Sequence, residues 1–99
     1  MRLVWNQRKG QANLAKHKVS FDTARLVFDD PFAVSTQDRT VQGEERWQTI
    51  GLVGGVVALL VAHTYDEADG DEVIRIVSAR KAMPRERRVY EENLQATGK

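Results

Sequence analysis

The chain has no cysteine. Disulfides and thiolate metal sites are therefore excluded, and the fold rests on packing and hydrogen bonds alone. The absence fits a reducing compartment, so a cytoplasmic protein is expected. Histidine is nearly as scarce, with His17 and His63 only. Two separated histidines without a spaced carboxylate make a poor metal site, so no metal and no cofactor are expected. Long apolar runs are missing too. The longest, "VGGVVALLVA", is far too short to span a bilayer, and the opening "MRLVWNQRKG" contains no export-signal core. No membrane role is expected. HExxH, GxGxxG, P-loop and Gly-x-Ser-x-Gly patterns do not occur. "DEADGDE" lacks the Asp-x-Asp-x-Asp-Gly spacing and the later glutamate of a calcium loop, and reads as a solvated acidic loop.

The 99 residues suit one domain spanning 1–99, with a hydrophobic fraction of 41% and a charged fraction of 29%. The net charge of +1 is unevenly spread. Removing the five acids of that loop (Asp66, Glu67, Asp69, Asp71, Glu72) leaves +6 on the rest. "RKAMPRERR" contributes five bases against Glu86 alone. A basic body suits an anionic partner such as nucleic acid; solvated, balanced faces explain the charge equally well.

"RLVW" reads as a first strand. "NQRKGQANLAKHK" reads as a helix with Asn6 as N-cap, weakened by Gly10. Ser20 reads as the N-cap of a second helix, with Val19 stapling against Ala24. Phe21, Ala24, Val27 and Phe28 recur at helical spacing, and Asp29-Asp30-Pro31 ends the run. "FAVST" is a short strand and residues 37–45 a polar loop. "RWQTIGLV" and "VVALLVAHTY" follow as strands joined by Gly54-Gly55, the second apolar on both faces like a central strand. The acidic loop leads to the strand "VIRIVSAR". A last helix has Pro84 at its first position and Gly98 just past its end. The fold class is α+β: a small antiparallel sheet, built as a three-stranded meander with an N-terminal strand and a short extra strand. Two N-terminal helices and a C-terminal helix are expected to cover one face of it.

Several residues are awkwardly placed for a purely structural domain. Lys16 and His17 share a helix face with Asn13. Cations at a helix C-terminus complement its dipole without any function, yet histidine is also the commonest acid–base residue. Arg75 sits mid-strand among Val73, Ile74, Ile76 and Val77. It needs either a carboxylate such as Glu45 or an anion site. Alternation puts Arg80 nominally on the opposite face, unless a bend at the strand end re-aims it. Arg46 follows Glu45 at a strand start. His63 reads as a satisfied core or rim residue.

Three blocks together resemble a known family: "WNQRKGQANLAKHKVSFDTARLVFDDP" (5–31), "ERWQTIGLV" (45–53) and "IRIVSARKAMPRERRVYE" (74–91). Their order and content are similar to the BrnT toxins. The resemblance implies a RelE-like fold and a ribonuclease toxin of a type II toxin–antitoxin system. It also implies neutralisation by a BrnA-type antitoxin, a ribbon-helix-helix DNA-binding protein, in a hetero-oligomer. Metal-free RNA cleavage needs a base for the ribose 2′-OH, cations for the phosphorane-like transition state and an acid for the departing 5′-oxygen. Arg46, Arg75 and Arg80 are the expected phosphate clamps, since arginine binds phosphate bidentately. His17 is expected to transfer the proton, Lys16 to help hold the phosphate, and Glu45 to be the alternative base. Lys81, Arg85 and Tyr90 stand as substrate contacts. The competing class is a non-catalytic nucleic-acid-binding or partner-docking module using the same basic face.

Overall fold

The computed structural model describes residues 1–97; Gly98 lies outside them. The elements are β1 (Arg2–Val4), α1 (Gln7–His17), α2 (Phe21–Ala24), a 3-10 helix (Arg25–Asp29), β2 (Val34–Val41), β3 (Glu44–Val53), β4 (Val57–Ala68), β5 (Asp71–Lys81) and α3 (Pro84–Thr97). They form an α+β fold around one five-stranded sheet ordered β1-β5-β4-β3-β2. The sheet is mixed, not wholly antiparallel as expected. β2 to β5 form a four-stranded antiparallel meander, and β1 adds in parallel to β5.

The local signals explain most of the outline. Asn6 accepts a hydrogen bond from Lys9 N and Ser20 from Thr23 N, so both expected N-caps close their first turns. α1 runs through Gly10 and ends at Lys18, which adopts a left-handed backbone and donates its N–H to Leu14 O. Val19 and Ala24 are both buried in one core, as the staple requires. Pro84 opens α3. β4 is the middle strand of the five and buries both of its faces.

Two expected loops are strands. Residues 37–45 hold the end of β2, a Gln42-Gly43 turn and the start of β3. Their polarity hid them: β2 is an exposed edge strand, so no apolar alternation marks it. In the acidic segment only Asp69-Gly70 turns. Asp66 to Ala68 extend β4, while Asp71 and Glu72 begin β5. Both turns have positive φ at both central residues, the pattern of a type I′ hairpin. The Gly54-Gly55 link is one residue longer than expected, because Val53 pairs with Val57 and Val56 joins the loop.

The helices divide between the two faces instead of sharing one. On one face Val19, Phe21, Ala24 and Val27 pack on Leu59, Val61, Ile76 and Ala79. On the other, Tyr90 and Leu94 of α3 pack with Ile50, Leu60, Leu52 and Val34. A central strand apolar on both sides needs cover on both. Each such side chain taken out of water contributes about 1.5–3 kcal/mol. α3 covers only part of its face.

Side chains finish both edges of the sheet. β1 pairs with β5 only as far as Arg75. Further along, the carboxamide of buried Asn13 accepts from Ala79 N and donates to Ala79 O, standing in for a strand. On the other side, Asp30 accepts from Leu52 N beyond the end of β2. Asp30 also accepts from Phe32 N and from the Tyr90 hydroxyl, at 2.9 and 2.7 Å, so it links the 3-10 helix to α3. Burial pushes its carboxyl up, but these three donors outweigh burial and hold it below the usual value.

Candidate nucleic-acid interface and active site

The face that α3 partly covers carries the arginines. Trp47 pairs with His63 and packs against Tyr65, so strand alternation turns Glu44 and Arg46 to the α3 side. Thr64 pairs with Arg75 and Leu60 with Arg80. Leu60 belongs to the α3-side core, so Thr64, Arg75 and Arg80 face the same way.

For Arg80 this depends on a bulge. The register of β4 with β5 shifts between Ala62–Ser78 and His63–Ile76, leaving Val77 as an extra residue. Buried positions follow suit, running Ile74, Ile76, then Ala79. The bulge inverts the alternation and brings Arg80 onto the face of Arg75.

Two cationic centres result. In the first, Glu44 Oε1 accepts from Arg75 Nη2 at 2.6 Å and lies 3.5 Å from Arg46 Nε. The partner of Arg75 is thus Glu44, not Glu45. Hydrogen bonding to Arg75 holds the Glu44 carboxyl below its ordinary value against partial desolvation, and the charges of Arg75 and Arg46 add to this. In the second, Arg80 makes a bidentate pair with Glu86, Nη1 to Oε1 at 2.9 Å and Nη2 to Oε2 at 2.8 Å. Glu86 Oε1 also accepts from Met83 N, which caps α3. Hydrogen bonding to Glu86 raises the Arg80 pKa and lowers that of Glu86. Five residues of strand separate Arg75 from Arg80, about 15 Å. The two centres cannot grip the same phosphate.

The other expected site residues are scattered. Leu14 and Lys18 of α1 line a cleft with Lys81, which puts the end of α1 at the Lys81 end of β5. That cleft also holds Leu59 of the α2-side core, so it opens on the face opposite Arg80. Lys16 and His17 lie near this end of β5, and among the described residues no hydrogen bond or ion pair joins them to Arg46, Arg75 or Arg80. Glu45 is exposed and accepts from Gln37 Nε2 at 3.0 Å, away from the arginines. Arg85 is exposed and lines an apolar groove with Val34, Ile50, Leu60 and Val89 on the α3 side. Tyr90 is a core residue, 3% exposed, with its hydroxyl committed to Asp30. Burial, reinforced by Asp30, pushes its pKa up to about 12. A substrate does not reach it in this arrangement. Among the described residues no group of three or more His, Asp or Glu could hold a metal ion.

Sequence reasoning missed Thr64 and did not assign Glu44 and Glu86 as the partners of Arg75 and Arg80. Alternation alone pairs Glu44 with Arg46, two residues apart on one face. Thr64 needed the β4–β5 register, which no local pattern carries.

His63 is fully buried, and its Nε2 lies 2.7 Å from Thr49 Oγ1. Phe28 and Tyr65 pack edge-on against its ring, both with ring centres 5.0 Å away. Burial lowers its pKa to about 4. It is the satisfied core histidine that its position on the strand implies.

Among curated proteins no relative matches in sequence. Among solved structures the fold is similar to the crystal structure of the Brucella abortus ribonuclease toxin BrnT. The TM-score is 0.58 at 21% identity, covering 84% of this chain and 97% of that one. The family model for the ribonuclease toxin BrnT of type II toxin–antitoxin systems matches residues 5–86. By that match over most of its length, with the fold in agreement, the chain belongs to the BrnT family of ribonuclease toxins of type II toxin–antitoxin systems.

Proposed function

We propose that this toxin is a metal-independent endoribonuclease that binds RNA on the α3 side of its sheet and inhibits translation. A BrnA-type ribbon-helix-helix antitoxin neutralises it in a cytoplasmic hetero-oligomer. The observation that carries this reading is the bulge at Val77, which supports a single RNA-facing surface for Arg46, Arg75 and Arg80. A sheet that needed only a core gains nothing from collecting three guanidiniums on one face.

In this reading RNA lies across the face and meets phosphate-binding arginines at both centres. Arg80 exchanges Glu86 for the scissile phosphate and stabilises the charge that develops there. Lys16 and His17 approach from the end of α1, His17 moving the proton and Lys16 adding positive charge. Arg85 extends the basic rim on the α3 side, and Lys81, which pairs with Leu59 and faces the other way, adds charge at the end of β5. Glu45 remains a weaker choice of base, since its side chain is engaged with Gln37.

The test is fragmentation of purified RNA in EDTA. A nuclease of this kind cuts without added metal, whereas a non-catalytic binder only retards the RNA. If His17→Ala and Arg80→Ala both cut as fast as the parent, the assignment of roles is wrong.

A further inference from the structure

Thr64 is 1% exposed, and its Oγ1 makes no hydrogen bond among the described residues. A buried unpaired hydroxyl is costly, and structures retain few of them. Its surroundings give it a use. Thr64 pairs with Arg75 on β5. Continuing the Trp47–His63 register by one residue sets Arg46 beside it on β3. Three adjacent strands therefore present Arg46, Thr64 and Arg75 in a row on one face. Arg46 Nε is likewise buried, with Glu44 at 3.5 Å too far for a good hydrogen bond. The row thus sets one unpaired hydroxyl, Thr64 Oγ1, between two guanidiniums, and of these Arg46 Nε is held only loosely by Glu44. The anion that bridges the arginines is the protein's own Glu44.

We infer that Arg46, Thr64 and Arg75 form a subsite for one phosphodiester group, which Glu44 occupies in the free protein. Glu44 and phosphate compete for the same donors: an incoming phosphate takes Arg75 Nη2 from Glu44, and the Thr64 hydroxyl supplies a further bond. The subsite rests on the reading of this face as the RNA-binding face, and names a second, non-scissile contact on it. It also gives the RNA a direction. Past Thr64, the β4–β5 hairpin ends in Asp66, Glu67, Asp69, Asp71 and Glu72, which repel phosphate. The strand therefore leaves the subsite toward Arg80, about 15 Å away.

The test is titration of the intact protein with inorganic phosphate and with a 2′-O-methyl oligoribonucleotide, which binds but cannot be cut through its 2′-oxygen. Thr64→Val keeps the shape and removes a hydroxyl that has no protein partner, so the melting temperature should hold or rise. Both probes should bind about tenfold more weakly, and Thr64→Ser should restore binding. Glu44→Gln should bind phosphate several-fold more tightly. The subsite is overturned if Thr64→Val binds both probes like the parent, or if Glu44→Gln binds phosphate no better. If Thr64→Val fails to fold, Thr64→Ala serves in its place under the same criteria. Cleavage in EDTA is read separately. A parent that binds as described but does not cut sinks the nuclease reading and leaves the subsite standing. A parent and Thr64→Val that cut and bind alike sink the subsite alone.

Discussion

His63 and Tyr90 are titratable groups that the core has claimed, and each carries a measurable consequence. The folded pKa of His63, about 4, lies below its ordinary 6.5. As pH falls from 6.5 toward 4, the unfolded chain takes up a proton that the folded chain refuses. Stability is therefore intact above pH 6.5 and declines through that window, by about 1.4 kcal/mol per unit at most. Denaturant melts at pH 7 and pH 5 should show this loss, and His63→Gln should lose less stability over the same interval. Tyr90 gives a sharper contrast between structure and function. Its hydroxyl donates to a carboxylate, a bond whose loss costs about 1.5–3 kcal/mol. Tyr90→Phe should lower stability by that order and leave the rate of RNA cleavage unchanged. A large drop in rate at intact stability would return Tyr90 to the substrate contacts.

Two glycines show how elements set their own tolerance. Gly10 lies within α1, where a Cβ would meet Phe21 Cδ2 at an ordinary 3.4 Å and Trp5 Cδ1 at 3.7 Å. Gly10→Ala therefore keeps the packing and gains helix propensity, so it should stabilise by about 0.5–1 kcal/mol. Gly51 lies on β3 under the 3-10 helix, where a Cβ would come within 2.9 Å of Val27 Cγ1 and 3.1 Å of Val27 O. The backbone cannot yield as a flexible side chain can. Gly51→Ala should cost about 1–3 kcal/mol by overpacking. Thermal melts of the two variants should shift in opposite directions. The sequence offered Gly10 as a weakness and said nothing of Gly51, because the close approach there joins residues 24 apart in the chain.

Across the whole molecule, charge is sorted along the length of the sheet, from the acidic β4–β5 hairpin tip to the arginines further along β5. Arg80 is the position where this sorting matters most. Its pair with Glu86 is partly exposed, at 33% and 17% for the two side chains. Such a pair contributes roughly 1 kcal/mol or less to stability. If Arg80 instead stabilises the transition state, Arg80→Ala should slow cleavage about 10²–10³-fold. A single-turnover assay beside a melting curve separates the two costs. Equal small losses in both would make Arg80 a structural residue.

The chain determined by local chemistry whatever depends on neighbours in sequence: the caps at Asn6 and Ser20, the stop at Asp30-Pro31, the start at Pro84 and the doubly apolar β4. The blocks resembling BrnT toxins were likewise legible as strings of residues, and so was the concentration of arginine near the C-terminus. Tertiary structure alone decided which residues meet. Polar β2 became a strand because β3 offered it a ladder, and the parallel seat of β1 depended on β5, some 70 residues on. The bulge at Val77 set the facing of Arg80. Register chose Glu44 over Glu45 as the partner of Arg75 and set Thr64 between two arginines. Hydrogen-bond register between strands is a pairwise property of distant segments, and a one-residue shift turns every side chain to the other face.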